Sequence, residues 1–130
     1  MSQYHVRCEC GGVSLTIHGQ PLRVSVCHCL ACRRRTGSVM SVQARFLAAD
    51  LQLQGETREY TRLADSGNAI RQLFCSRCAG IICYYNSALP TLAIVPAGML
   101  AEALPPPDVS VYECRKAGWL SLCGDMQHLD

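Results

Sequence analysis

"CECGGVSLTIHG", residues 8 to 19, carries two signals in succession. Its first half sets Cys8 and Cys10 one residue apart and follows them with Gly11 and Gly12. Its second half alternates apolar and polar residues, so Val13, Leu15 and Ile17 would share one face of a strand. A thiol pair therefore sits at the edge of a predicted strand. The same arrangement returns at residues 70 to 80, "IRQLFCSRCAG", where a strand-like run leads into Cys75 and Cys78 with Gly80 close behind. Glycine lets the backbone curl so that its amides point toward the sulfurs. Two ligands from each cluster make four thiolates, the closed tetrahedral set of a structural zinc site. Such a site would tie the start of the chain to its middle, and its binding energy would be folding energy. The competing explanation is four buried free thiols.

Other short β-type runs are "SVMSVQARF" (38–46), "LQLQG" (51–55), "REYTR" (58–62), "IICYY" (81–85) and "VSVYEC" (109–114). Turn-forming residues punctuate most of the gaps. Helical periodicity is scarce: a turn at "LACRRRTG" (30–37), which Gly37 would end, and "GMLAEAL" (98–104) are the best candidates. The pattern predicts a mainly β chain, an antiparallel sandwich or folded sheet. "PPPD" (105–108) stiffens a connection before the last strands and does not read as a domain linker. Residues 1–130 are expected to form a single domain.

A hydrophobic content of 49% with 17% charged residues fits a globular chain. A net charge of +2 is too small to imply nucleic acid or an anionic membrane surface as partner. The apolar stretch from Ala88 to Leu104 is interrupted by Pro90, Pro96, Gly98 and Glu102, which argues against a membrane span. No basic start followed by an apolar run opens the sequence, so the cytoplasm is the expected compartment. There the ten cysteines point to metal rather than disulfides. Cysteines one or two residues apart converge easily on one ion and are badly placed to cross-link distant segments.

The third cluster is "CHCLACRRRTG" (27–37). Cys27, Cys29 and Cys32 supply three sulfurs. A fourth ligand from Cys83, Cys114 or Cys123 would close the site; an open fourth position would make it catalytic. Three thiolates on a divalent ion leave a net charge of about −1, a feeble Lewis acid toward a neutral carbonyl. A thiol that coordinates zinc is nevertheless deprotonated. An open site would thus hold an incoming thiol as a nucleophilic thiolate. Arg33, Arg34 and Arg35 would offset the negative charge and attract substrate carboxylates, or else form a solvated turn.

"CECGGV", "CHCLACRRRTG" and "FCSRCAG", in this order, resemble the glutathione-dependent formaldehyde-activating enzyme family, also described as the centromere protein V-like domain. "GMLAEALPPP" and "VYECRKAGWLSL" extend the resemblance over nearly the whole chain. It implies an Mss4-like fold of short antiparallel sheets stapled by zinc. It implies two zinc ions per chain: a structural one on Cys8, Cys10, Cys75 and Cys78, and a second on Cys27, Cys29 and Cys32 exposed to glutathione. The implied reaction joins glutathione, as co-substrate, to formaldehyde; the class is carbon–sulfur lyase, and the partners are a small thiol and an aldehyde. Two positions depart from the family pattern: Ala79 stands where glycine is usual, and Ser110, two residues before Tyr112, where histidine is frequent.

His28, between two ligands, either relays protons or only positions its loop. His5, His18 and His128 read as surface or strand-edge histidines. Trp119 reads as a packing residue. Cys83, Cys114 and Cys123 read as buried small apolar residues. Competing with the enzyme are a non-enzymatic zinc module that binds another macromolecule and a redox sensor that releases zinc when its three-cysteine cluster is oxidised.

Overall fold

The computed structural model describes residues 3–130. Its strands are β1 (Gln3–Arg7), β2 (Ser14–His18), β3 (Arg23–Cys27), β4 (Ser41–Leu47), β5 (Leu51–Gln54), β6 (Thr57–Leu63), β7 (Ala69–Cys75), β8 (Ile81–Asn86), β9 (Leu92–Pro96), β10 (Val109–Val111) and β11 (Gln127–His128). They form a three-stranded sheet, β1-β2-β5, and an eight-stranded sheet, β11-β10-β3-β4-β9-β8-β7-β6. One short helix, α1 (Leu30–Thr36), follows β3. The chain is mainly β, as the alternating patterns predict, and the cysteine clusters agree with a zinc-stapled Mss4-like fold.

The core forms where the smaller sheet meets one face of the larger. Val6, Leu15 and Ile17 come from the small sheet, and Ala44, Phe46, Leu73, Ile82 and Val95 from the large one, all in one buried cluster. Val13 joins them from just before β2. Tyr4 and Phe46 meet in a tilted ring pair with centroids 5.5 Å apart. On β4 and β9 the pairs Ala44↔Val95 and Phe46↔Ala93 supply this face. Side chains alternate along a strand, so Gln43 and Ile94 are presented to the other face. There Ile70, Tyr84 and Ile94 make a second, smaller cluster.

Four strands carry no advance signal in the runs read above: β1, β3, β9 and the two-residue β11. The segment "GMLAEAL" is not helical beyond a 3-10 turn at Ala97–Met99. Its backbone is used by β1 instead, for Ala101 N–H donates to the His5 carbonyl at 2.9 Å and Val6 bridges Leu100. "VSVYEC" keeps only Val109–Val111 as strand. That strand pairs parallel with both β3 and β11, whereas all the other ladders are antiparallel among the described residues.

Candidate metal centres

Cys8, Cys10, Cys75 and Cys78 converge, with all four sulfurs within 4.8 Å of one another. Cys8 follows the end of β1 and Cys75 ends β7, so strand ends deliver two of the four thiols. Each thiol pair then sits in a tight turn whose amides are aimed inward. Val13 N–H donates to Cys8 Sγ at 3.3 Å, Gly12 N–H to Cys10 Sγ at 3.4 Å, and Arg77 N–H to Cys75 Sγ at 3.4 Å. Backbone N–H groups of Cys10 and Gly80 lower the Cys78 thiol to about 6. Amides oriented at sulfur favour thiolate, the form a metal binds.

The sulfur spacing fits zinc. A tetrahedron with zinc–sulfur bonds of about 2.3 Å has edges of about 3.8 Å. Cys8 and Cys10 Sγ lie 3.7 Å apart, and Cys10 and Cys75 Sγ 3.6 Å. Gly55 makes this packing possible: a Cβ there would stand 2.2 Å from the Gly12 carbonyl oxygen.

Ala79 occupies the left-handed region, with φ 65°. An L-residue pays about 1–2 kcal/mol for that conformation, and glycine's greater freedom in the unfolded chain returns roughly half of the difference. Ala79→Gly is therefore expected to stabilise the fold by about 1 kcal/mol, read as a rise of roughly 3–5 °C in Tm.

The second cluster is Cys27, Cys29 and Cys32, also with sulfurs within 4.8 Å. Cys27 ends β3; Cys29 is the N-cap of α1, its Sγ accepting from Cys32 N–H at 3.3 Å; Cys32 lies in the first turn. Gly37, left-handed at φ 70°, ends the helix as its position predicts, its N–H meeting the Arg33 carbonyl at 2.8 Å. Among the described residues no fourth histidine, cysteine or carboxylate joins this cluster. Cys83 is buried in the main core beside the Tyr85 hydroxyl. Cys114 and Cys123 are exposed, which corrects the expectation that they are buried; both lie outside regular strands near the C-terminus.

Charge at this cluster is shaped by its neighbours. A hydrogen bond from the Cys27 thiol, helped by Ser41 and Arg35, lowers Cys32 to about 4, and the same bond pushes Cys27 far up. Arg35 Nη2 lies 3.6 Å from Cys32 Sγ, while its guanidinium stacks over the Tyr84 ring with 4.6 Å to the centroid. The Tyr84 and Ser41 hydroxyls both donate to Gln43 Oε1. One half-buried network thus fixes Arg35 against the sulfur. Sequence reasoning contained no signal for Ser41 and Gln43, because their meeting with Tyr84 depends on β4 pairing with β3 and β9 and on β9 pairing with β8.

His28 does not share the cluster's face. It is fully buried, and Nε2 meets Ser110 Oγ at 2.9 Å. The Ser110 hydroxyl also hydrogen-bonds Glu113, holding that carboxyl below its usual range, and Glu113 Oε2 lies 2.6 Å from His128 Nδ1. Ser110, at the position where the family pattern has histidine, is therefore a brace for the loop of Cys27 and Cys29. Burial lowers the pKa of His28.

A cavity of about 420 Å³ opens beside Cys29 and is lined by charged and polar groups, among them Arg62, Asp65, Asn86, Tyr112 and Arg115. Arg34 and Arg35 line a neighbouring cavity with Arg62, Tyr60 and Gln72, and no acidic side chain enters it. Arg33 and Arg34 face a third with Trp119. Trp119 is 76% exposed, so it is not the packing residue expected from sequence. Arg62 and Arg115 escaped the sequence reading because they lie far from the cysteine motifs in the chain. No described helix is long and apolar enough to cross a membrane.

The family of glutathione-dependent formaldehyde-activating enzymes matches residues 3–115. Among solved structures, a Rhodobacter sphaeroides protein is similar with a TM-score of 0.59 at 21% identity, over 78% of this chain and 91% of that one. That likeness is one of fold. A search of curated proteins gave no match.

Proposed function

The chain belongs to the glutathione-dependent formaldehyde-activating enzyme family, and on that premise we propose that it is a zinc-dependent carbon–sulfur lyase-type enzyme working on a thiol–aldehyde adduct of glutathione or a similar thiol. The observation that carries this reading is the position of Cys29. It belongs to a three-sulfur cluster without a fourth protein ligand among the described residues, and it lines a charged cavity large enough for a tripeptide-sized thiol. Cys8, Cys10, Cys75 and Cys78 would hold a structural zinc, and Cys27, Cys29 and Cys32 a catalytic one. When bound at the second cluster, zinc supplies acidity, taking the proton off a thiol that coordinates it.

The chain's own residues do the rest. Arg62 and Arg115 bind carboxylates of the thiol substrate, and Asp65 accepts its ammonium group. Arg34 extends the positive field beside Arg62. Arg35 and Ser41 touch Cys32 Sγ, spreading the charge of the thiolates, and do not line the cavity assigned to the thiol. In the adduct-forming direction the thiol sulfur makes a bond to the carbonyl carbon, and the carbonyl oxygen gains the proton the thiol lost. The reverse breaks that carbon–sulfur bond; neither direction needs an oxidant or reductant.

Titration of glutathione into the zinc-loaded protein tests this directly. Arg62→Gln is expected to weaken binding about 10- to 100-fold, the loss of one charge-assisted pair. Glutathione binding that is unchanged by loss of both Arg62 and Cys29 would sink the proposal.

A further inference from the structure

Two cavities of opposite character flank the three-cysteine cluster. On the Cys29 side lies the charged cavity of about 420 Å³ described above. On the Cys32 side lies a cavity of about 550 Å³ whose walls include Met40, Val42, Ile81, Pro96 and Met99. Its polar lining is Arg35, Thr36, Ser41 and Gln43, of which Arg35 and Ser41 also touch Cys32 Sγ. An apolar chamber therefore ends one side chain away from the cluster.

Ala79 lines the same chamber. Its backbone lies in the left-handed region, at φ 65°, where glycine is the less costly residue. Its methyl group supplies apolar wall that glycine would not.

We propose that this chamber receives the organic substituent of an aldehyde larger than formaldehyde, an aliphatic chain or aromatic ring of about six to eight carbons, so that the chain unites a charged thiol from one side with an apolar aldehyde from the other. This rests on the thiol–aldehyde reading above and names its electrophile. Size supports it: a dry cavity of about 150 Å³ already holds benzene, and a one-carbon aldehyde is scarcely larger than a water molecule at about 30 Å³. Formaldehyde would leave most of this solvent-open apolar lining uncovered. Polarity supports it too, because an apolar substituent would lie among Met40, Val42, Ile81, Pro96 and Met99 while its carbonyl is turned to Arg35 and Ser41, the lining residues that touch Cys32 Sγ. Bond changes are those given above: a carbon–sulfur bond forms, the carbonyl π pair moves to oxygen, and that oxygen takes the thiol proton.

Two measurements on the zinc-loaded full chain test it. The first uses 1-octanol, which cannot react, with the methionine methyl groups labelled for NMR. Saturable shifts at Met40 and Met99, but not at Met126, are expected, and Met40→Glu abolishes them. Octanol that leaves Met40 and Met99 unmoved overturns the assignment, whatever the enzyme's activity. The second compares kcat/KM for octanal and acetaldehyde with glutathione present. Each buried methylene is worth roughly fourfold, so octanal is expected to exceed acetaldehyde by at least about a hundredfold. Met40→Glu should cut that ratio at least about tenfold. A ratio near one, or one that Met40→Glu does not move, overturns the proposal. Octanol binding with no turnover of either aldehyde overturns the catalytic reading beneath it, which distinguishes the two failures.

Discussion

A Cys75→Ser chain is expected to lose its native fold at 25 °C, and chelation of metal from the unaltered protein should do the same. Cys75 is the junction of three supports. It ends β7, it is almost fully buried within the main apolar cluster, and its sulfur accepts the Arg77 amide while facing Cys10 Sγ at 3.6 Å. A structural zinc site contributes about 10–16 kcal/mol in small domains. The whole folding free energy of a domain is about 5–15 kcal/mol. Losing one thiolate from a closed set of four therefore removes an amount comparable with the entire stability. Near-UV circular dichroism and metal content by elemental analysis would show it together. Cys114→Ser, at an exposed thiol outside both clusters, should stay within about 0.5 kcal/mol of the parent. A Cys75→Ser protein that melts cooperatively within a few degrees of the parent would refute the structural role of this centre.

Cys29→Ser should behave in the opposite way, leaving the fold intact while removing the chemistry. Cys29 caps α1 through its sulfur, and serine is among the preferred residues at that position, so the substitution replaces one cap acceptor with another. Against the parent stripped of its second ion, stability should change by less than about 1 kcal/mol, because the cap is kept. Metal content is expected to fall from about two ions per chain to about one. Even outer partners of a metal ligand cost 10- to 100-fold when removed, so loss of a ligand itself should lower glutathione-dependent turnover by at least about a hundredfold. The separation between the two variants is the point of the pair. Loss of fold in Cys75→Ser with loss of activity alone in Cys29→Ser assigns one cluster to structure and the other to catalysis; full activity in Cys29→Ser would refute the catalytic assignment.

Much of the site was legible in the chain because its ligands lie close together in sequence. Cys8 with Cys10, Cys75 with Cys78, and Cys27 with Cys29 and Cys32 are local groupings, and the alternation at Leu15 and Ile17 fixes which way the neighbouring strand faces. Strand β9 was not legible, since a continuous apolar run ending in Pro96 has no period to read. The helix expected at "GMLAEAL" failed for a related reason: Leu100 and Ala101 are taken by the edge of β1, a partner ninety-odd residues earlier that no local propensity anticipates. Trp119 and the two C-terminal cysteines were misread because composition alone gives a residue's preference and not its exposure.

The sequence by itself determined the groups that could hold metal: clustered thiols, glycine-rich turns to aim amides at them, and a helix stop that confines the three-cysteine turn. Only the tertiary structure decided what surrounds that chemistry. Pairing of β3, β4, β9 and β8 brings Ser41, Gln43 and Tyr84 around Arg35 and turns that arginine inward. Folding likewise carries Arg62 and Arg115 to the Cys29 side and Met40, Ala79 and Met99 to the other. The physical reason is separation in the chain. Ligands two or three residues apart meet through local backbone geometry, whereas the walls of a cavity come from segments that touch only after distant strands have found their register.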